Sequence, residues 1–62
     1  MNSLEQALLD DLQERTDKAL HELTWVRDHS LYNKTEWRKI TNRLDKMRQL
    51  LEECQEIGKD ID

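Results

Sequence analysis

Sixty-two residues make one small domain, residues 1–62, and a chain of this length buries only about 60% of the surface its unfolded form exposes. No Pro, one Gly and 39% charged residues suit long exposed helices and exclude a sheet-rich fold. A single cysteine, Cys54, excludes an internal disulfide, and no apolar run approaches the ~20 residues of a membrane span, so the marginal core must be completed by something other than a disulfide or a bilayer.

In chain order, the first signal is Ser3 followed by Gln6, a capping-box spacing in which the hydroxyl accepts from a first-turn amide and the Gln reaches back. A first helix is therefore expected over about residues 4–28. Within it Leu9, Leu12, Thr16, Ala19, Leu23 and Val26 alternate spacings of three and four, the core seam of a heptad pattern. Such regularity has no place in a disordered chain. The stretch SLYNKTEW, residues 30–37, then reads as a turn: Asn33 caps the next helix, Glu36 completes a capping box, and Tyr32 staples onto Trp37. Asn33-Lys34-Thr35 matches a glycosylation acceptor, but that chemistry needs a secreted chain. The N-terminus lacks the basic start and apolar stretch of a signal peptide, so a cytoplasmic location is expected and the match is read as chance.

The second helix is expected over about residues 34–57, with Trp37, Ile40, Leu44, Met47, Leu51 and Cys54 as its seam. Gly58 is the residue that turns left-handed most easily and is expected to end it. Folding the chain back between the helices pairs the two seams layer by layer. Val26 faces Trp37, Leu23 faces Ile40, Ala19 faces Leu44, Thr16 faces Met47, Leu12 faces Leu51 and Leu9 faces Cys54. Every step of three along one helix meets a step of three along the other, and small Ala19 and Thr16 oppose large Leu44 and Met47. The predicted fold class is therefore all-α, an antiparallel helical hairpin. On this pairing Cys54 is a small buried hydrophobe, and Thr16 bonds back to the carbonyl of Leu12.

Apolar residues remain outside the seam. Leu4, Leu8, Leu50 and Ile57 gather at the open end of the hairpin and Leu20 lies farther along, together making a candidate oligomer interface. Two hairpins completing a four-helix bundle is the simplest closure. Charge gives such a pair a direction. Residues 1–14 and 49–62 carry nine acids and one base, whereas residues 15–48 carry nine bases and five acids. An antiparallel homodimer puts each acidic end beside a basic one, so that orientation is expected.

The loop end holds all three aromatics, Trp25, Tyr32 and Trp37, with Arg27, His29, Lys34 and Arg38 nearby. Trp37 belongs to the seam. Trp25, Arg27, His29, Tyr32, Lys34 and Arg38 are candidate partner or ligand contacts, since an exposed Trp among cations can anchor a protein or stack on a base, or simply cover the loop. A net charge of −4 argues against duplex DNA. Two histidines, His21 and His29, and one cysteine have no compact ligand spacing, and no Gly-rich phosphate loop occurs, so neither a metal, nor a cofactor, nor an enzyme is expected. The functional expectation is a protein-interaction module, an adaptor, inhibitor or co-chaperone with a second protein partner. The alternative is an oligomer that sequesters nucleotide or binds RNA at the aromatic, basic end.

Overall fold

The computed structural model describes residues 2–61. Helix α1 spans Ser3–His29 and helix α2 spans Lys34–Asp60, joined by a short turn at residues 30–33 and packed antiparallel along their lengths. The hairpin measures 49 by 15 by 10 Å between Cα extremes, as two antiparallel helices of about 40 Å with their turn require at ~1.5 Å per residue.

The capping box at the start of α1 forms one residue earlier than predicted. Glu5 N–H donates to Asn2 Oδ1 at 2.8 Å, and Asn2 N–H donates to Glu5 Oε1 at 3.4 Å. Asn2 and Ser3 are both competent caps with an acid or amide three residues on, and the Asn pair wins with a charged acceptor. At the turn the expectation fails. Asn33 makes no side-chain cap bond: its carbonyl accepts from Trp37 N–H at 3.0 Å, its own N–H donates to Ser30 Oγ at 3.2 Å, and no bond joins it to Glu36. Tyr32 is 90% exposed and no staple onto Trp37 forms. Gly58 does not end α2. It lies buried within the helix, has no positive φ, and its carbonyl accepts from Ile61 N–H at 3.3 Å beyond the last turn. A helical Gly costs about 1 kcal/mol relative to Ala, and packing outweighs that.

The largest departure is a roll of both helices. Along α2 the residues withdrawn from solvent are Trp37, Thr41, Leu44, Arg48, Leu51, Gln55 and Gly58, with Asp45 beside Arg48. The expected Ile40, Met47 and Cys54 are exposed instead, so the buried-seam role of Cys54 is corrected. Along α1 the same one-position shift brings Gln6, Gln13, Leu20 and Arg27 into the half-buried set with Leu9, Thr16 and Leu23, while Leu12 turns outward and Ala19 and Val26 stay half-buried. Thr16 Oγ1 donates to the Leu12 carbonyl at 2.8 Å as expected.

Hydrogen bonds across the pair accompany this roll. Buried Gln55 donates through Nε2 to Asp10 Oδ1 at 2.8 Å and Gln13 Oε1 at 3.2 Å, and its Oε1 accepts from Gln6 Nε2. At the other end Arg27 Nη1 donates to buried Thr41 Oγ1 at 3.5 Å. These links tie the open ends together and the loop ends together, the same regions that the layer pairing joins. One neighbouring helix covers only a narrow stripe of a cylinder. With polar residues filling half of that stripe, no apolar side chain among the described residues is buried.

Candidate functional site

Both helices put their interhelix residues at the same heptad positions and their displaced apolar residues one position to the side. Because the helices run antiparallel, equal rolls carry both displaced sets to the same side of the hairpin. The result is an apolar face, Leu4, Leu8 and Leu12 with Ala19 and Val26 from α1, and Ile40, Met47, Leu50, Cys54, Ile57 and Ile61 from α2. It is broad at the open end and narrowed toward the loop, where exposed Arg15, Glu22, Glu36 and Arg43 take the heptad positions that Leu8, Leu50 and Ile57 hold. Leu12 is 49% exposed and Met47 51%, although both were expected in the core. Of the candidate interface residues, Leu4, Leu8, Leu50 and Ile57 stand open on this face. Leu20 is half-buried with the polar interhelix residues and contributes least.

The opposite face is polar and closed by hydrogen bonds. Gln55 is its centre at the open end, where Gln6, Asp10, Gln13, Glu52, Glu56 and Lys59 surround a cleft of about 330 Å³. Arg48 is half-buried midway along α2, with Nη2 2.6 Å from Asp45 Oδ1 and its Nε buried without a hydrogen-bond partner. These polar interhelix positions escaped the sequence reading. Their signal was present, because Gln6, Gln13 and Arg27 on α1 and Thr41, Arg48 and Gln55 on α2 recur every seven residues or multiples of it beside the apolar seam.

At the loop end the candidate contacts divide into separate groups. Arg27, Asp28, Lys34 and Arg38 line an open cavity of about 280 Å³. Arg27 is partly committed within it, with Nε 3.0 Å from Asp28 Oδ1 and Nη1 on Thr41. Lys34 and Arg38 stand one helical turn apart on α2 with no ion pair among the described residues, so the cavity, which holds one carboxylate, Asp28, against three cations, is cationic. Trp25 and His29 line no part of this cavity. Their rings stack at 4.1 Å between centroids and 16° between planes, and His29 Nδ1 donates to the Trp25 carbonyl at 2.8 Å. The stack fixes Trp25 on the outer side of α1 beside His21, Glu22 and Val26 rather than over the loop. Tyr32 projects into solvent apart from both groups.

Among the described residues no group of three His, Cys, Asp or Glu side chains could hold a metal ion, and no helix is long and apolar enough to cross a membrane. What the arrangement offers is a surface: an apolar strip running the length of the hairpin, flanked by charge that changes sign from end to end. No protein-family model matches the sequence, and no curated protein or solved structure matches it.

Proposed function

We propose that the protein is a small non-enzymatic interaction module that works as a cytoplasmic helical-hairpin homo-oligomer. Self-association completes the missing core as a four-helix bundle, and the assembled module serves as an adaptor, inhibitor or co-chaperone by binding a second protein. The observation that carries this reading is the apolar face, open from Leu4 to Ile61 in a hairpin with no buried apolar side chain among the described residues. A hairpin 49 by 15 Å presents about 700 Å² per side, near the roughly 800 Å² per partner of a standard specific interface. An exposed apolar strip along such a side marks an association surface.

Light scattering with thermal melting at several concentrations tests it. Twice the chain's mass is expected, with a melting temperature that rises with concentration, since dilution destabilises an obligate oligomer. A monomer whose melting ignores dilution would remove the proposal.

The cation-lined cavity of Arg27, Lys34 and Arg38 favours a second reading, binding of nucleotide or RNA at the loop end. The divided geometry weakens it, because Trp25 is stacked on His29 away from those cations. Protein free of co-purifying ultraviolet absorbance, with Trp fluorescence unmoved by nucleotides, is the expected result. A shift in either observation would reverse the preference.

A further inference from the structure

We infer that the apolar face is covered by a second copy of this chain lying antiparallel, with α2 stacked on α2 and the two loops at opposite ends of the bundle. This rests on the self-association proposed above and adds to it an orientation and a register.

Two-fold symmetry allows only two ways to join the apolar faces of two hairpins. If the axis runs along the helices, both loops share one end and each α2 lies on the α1 of the second copy. If the axis crosses the helices, the loops are at opposite ends and each helix lies on its own counterpart. Charge separates the two. In α2, residues 34–48 carry six bases and two acids, while residues 49–60 carry four acids and one base. In α1, residues 3–14 carry four acids and no base, and residues 15–29 carry three of each. The first arrangement lays the acidic half of α2 against the acidic half of α1, twice. The second lays it against the basic half of the other α2, twice. Complementary charge selects orientation, and like charges across an interface reject the alternative.

Heptad packing then sets the register. Antiparallel neighbours pair a first core position with a second one. The offset that does so with the greatest overlap brings Cys54 to Trp37 of the second copy, Leu51 to Ile40 and Met47 to Leu44. On the α1 side it brings Leu9 to Val26, Leu12 to Leu23 and Thr16 to Ala19. The axis passes between the Ala19–Leu44 and Thr16–Met47 layers, close to the midpoints of both helices. It also sets the largest seam side chain, Trp37, against the small Cys54, and it covers Leu12, Ile40, Met47 and Cys54, the four seam residues that each hairpin leaves exposed. In this register Lys39 of one copy stands beside Glu53 of the other.

The orientation is read by a spin label at the loop. Tyr32 is 90% exposed and outside both faces, so Tyr32→Cys places one label per chain outside the interface, in a Cys54→Ala background that trims only the thiol from it and whose mass is first matched to that of the wild type. Labels at opposite ends of a bundle whose subunit is 49 Å long are expected about 45 Å apart or more, whereas a shared loop end would hold them within roughly 25 Å, two helix diameters. A dimer with the short distance would overturn the orientation and leave self-association standing. A monomer mass would overturn self-association and the orientation with it. The register has its own test, independent of the label. Lys39→Glu should weaken the dimer about threefold, and adding Glu53→Lys to the same chain should restore it, as expected for two symmetric exposed ion pairs. These residues lie about 21 Å apart along one helix, too far for an ion pair within one chain, and a rescue that persists at high salt, where net-charge repulsion is screened, comes from contact between copies. Absence of rescue would overturn the register.

Discussion

The two faces of the hairpin use the same heptad geometry and reach opposite ends. On the polar face Gln55 bonds to Gln6, Asp10 and Gln13, and Arg27 bonds to Thr41, so its interhelix side chains find partners within the chain. On the apolar face Leu8, Leu12, Ile40, Met47, Leu50 and Ile57 find none. Polar side chains can be satisfied pairwise, but an apolar stripe is satisfied only when another surface covers it. Hydrogen bonds of this kind contribute about 1 kcal/mol each, net of the water they displace, while full burial of a Leu or Ile side chain contributes about 1.5–3 kcal/mol. The polar face therefore sets how the helices meet, and the apolar face decides whether the pair holds together.

Breaking the apolar face should have the largest effect. In an isolated hairpin Met47 is half-exposed, and Met47→Asp would stay within about 0.5 kcal/mol, the usual range for a surface substitution. In the bundle the same change buries a charge at the central layer of both subunits, so a loss of about 3 kcal/mol or more per subunit is expected, with the dimer abolished. Circular dichroism and light scattering at matched concentrations measure the difference. Leu44→Asp is the control, because Leu44 is half-buried between the helices and its replacement damages the hairpin whether or not a second copy is present. If Met47→Asp melts like the wild type, the open face is only a surface.

Weakening the polar face should cost less and act differently. Gln55→Ala removes three side-chain bonds at a buried position, but Asp10 is exposed and can turn to water. A loss of about 1–2 kcal/mol is expected from a truncated buried hydrogen-bonding group, read as a lower denaturation midpoint at unchanged mass. A change of mass would mean that the polar face takes part in association after all.

The contrast between faces also accounts for what was legible in the sequence. The alternating seams of α1 and α2 specify two helices folded back on each other, and Thr16 behaves as its position implies. The same pattern marks Ile40, Met47 and Cys54 as core without saying which surface makes the core, and within one chain they are exposed. Periodicity reports that a side chain will be covered, and the covering helix need not belong to the same molecule. Local signals failed where two candidates compete within a residue or two. Asn2 caps α1 in place of Ser3, and Asn33 adopts φ −116° and ψ 35°, with no side-chain cap bond formed. The loop-end candidates divide into separate groups for a different reason. Trp25, Arg27 and His29 are near neighbours in sequence, but successive helix positions are turned about 100° from one another, so Trp25 and His29, four apart, share a side that Arg27 does not.

The smallest effect should come from Arg48→Met, and it sharpens the contrast from the polar side. Arg48 is half-buried between the helices, where an apolar residue would pack without unmet hydrogen bonds, and its Nε is buried with no partner. Its pair with Asp45 is one turn along the same helix and about 40% exposed, so it contributes at most about 1 kcal/mol. Asp45 keeps a bond from Gln49 Nε2 at 3.3 Å when Arg48 is lost. Relief of the unpartnered Nε offsets the lost pair, and a stability change within about 1 kcal/mol, in the stabilising direction, is expected in chemical denaturation. Mass is the second readout. If the variant dimerises as the wild type does, the polar face is inert to association without help from Arg48. If it forms larger assemblies, the charge at position 48 keeps the second face of the hairpin from becoming another interface, and its unfavourable burial is explained by that role.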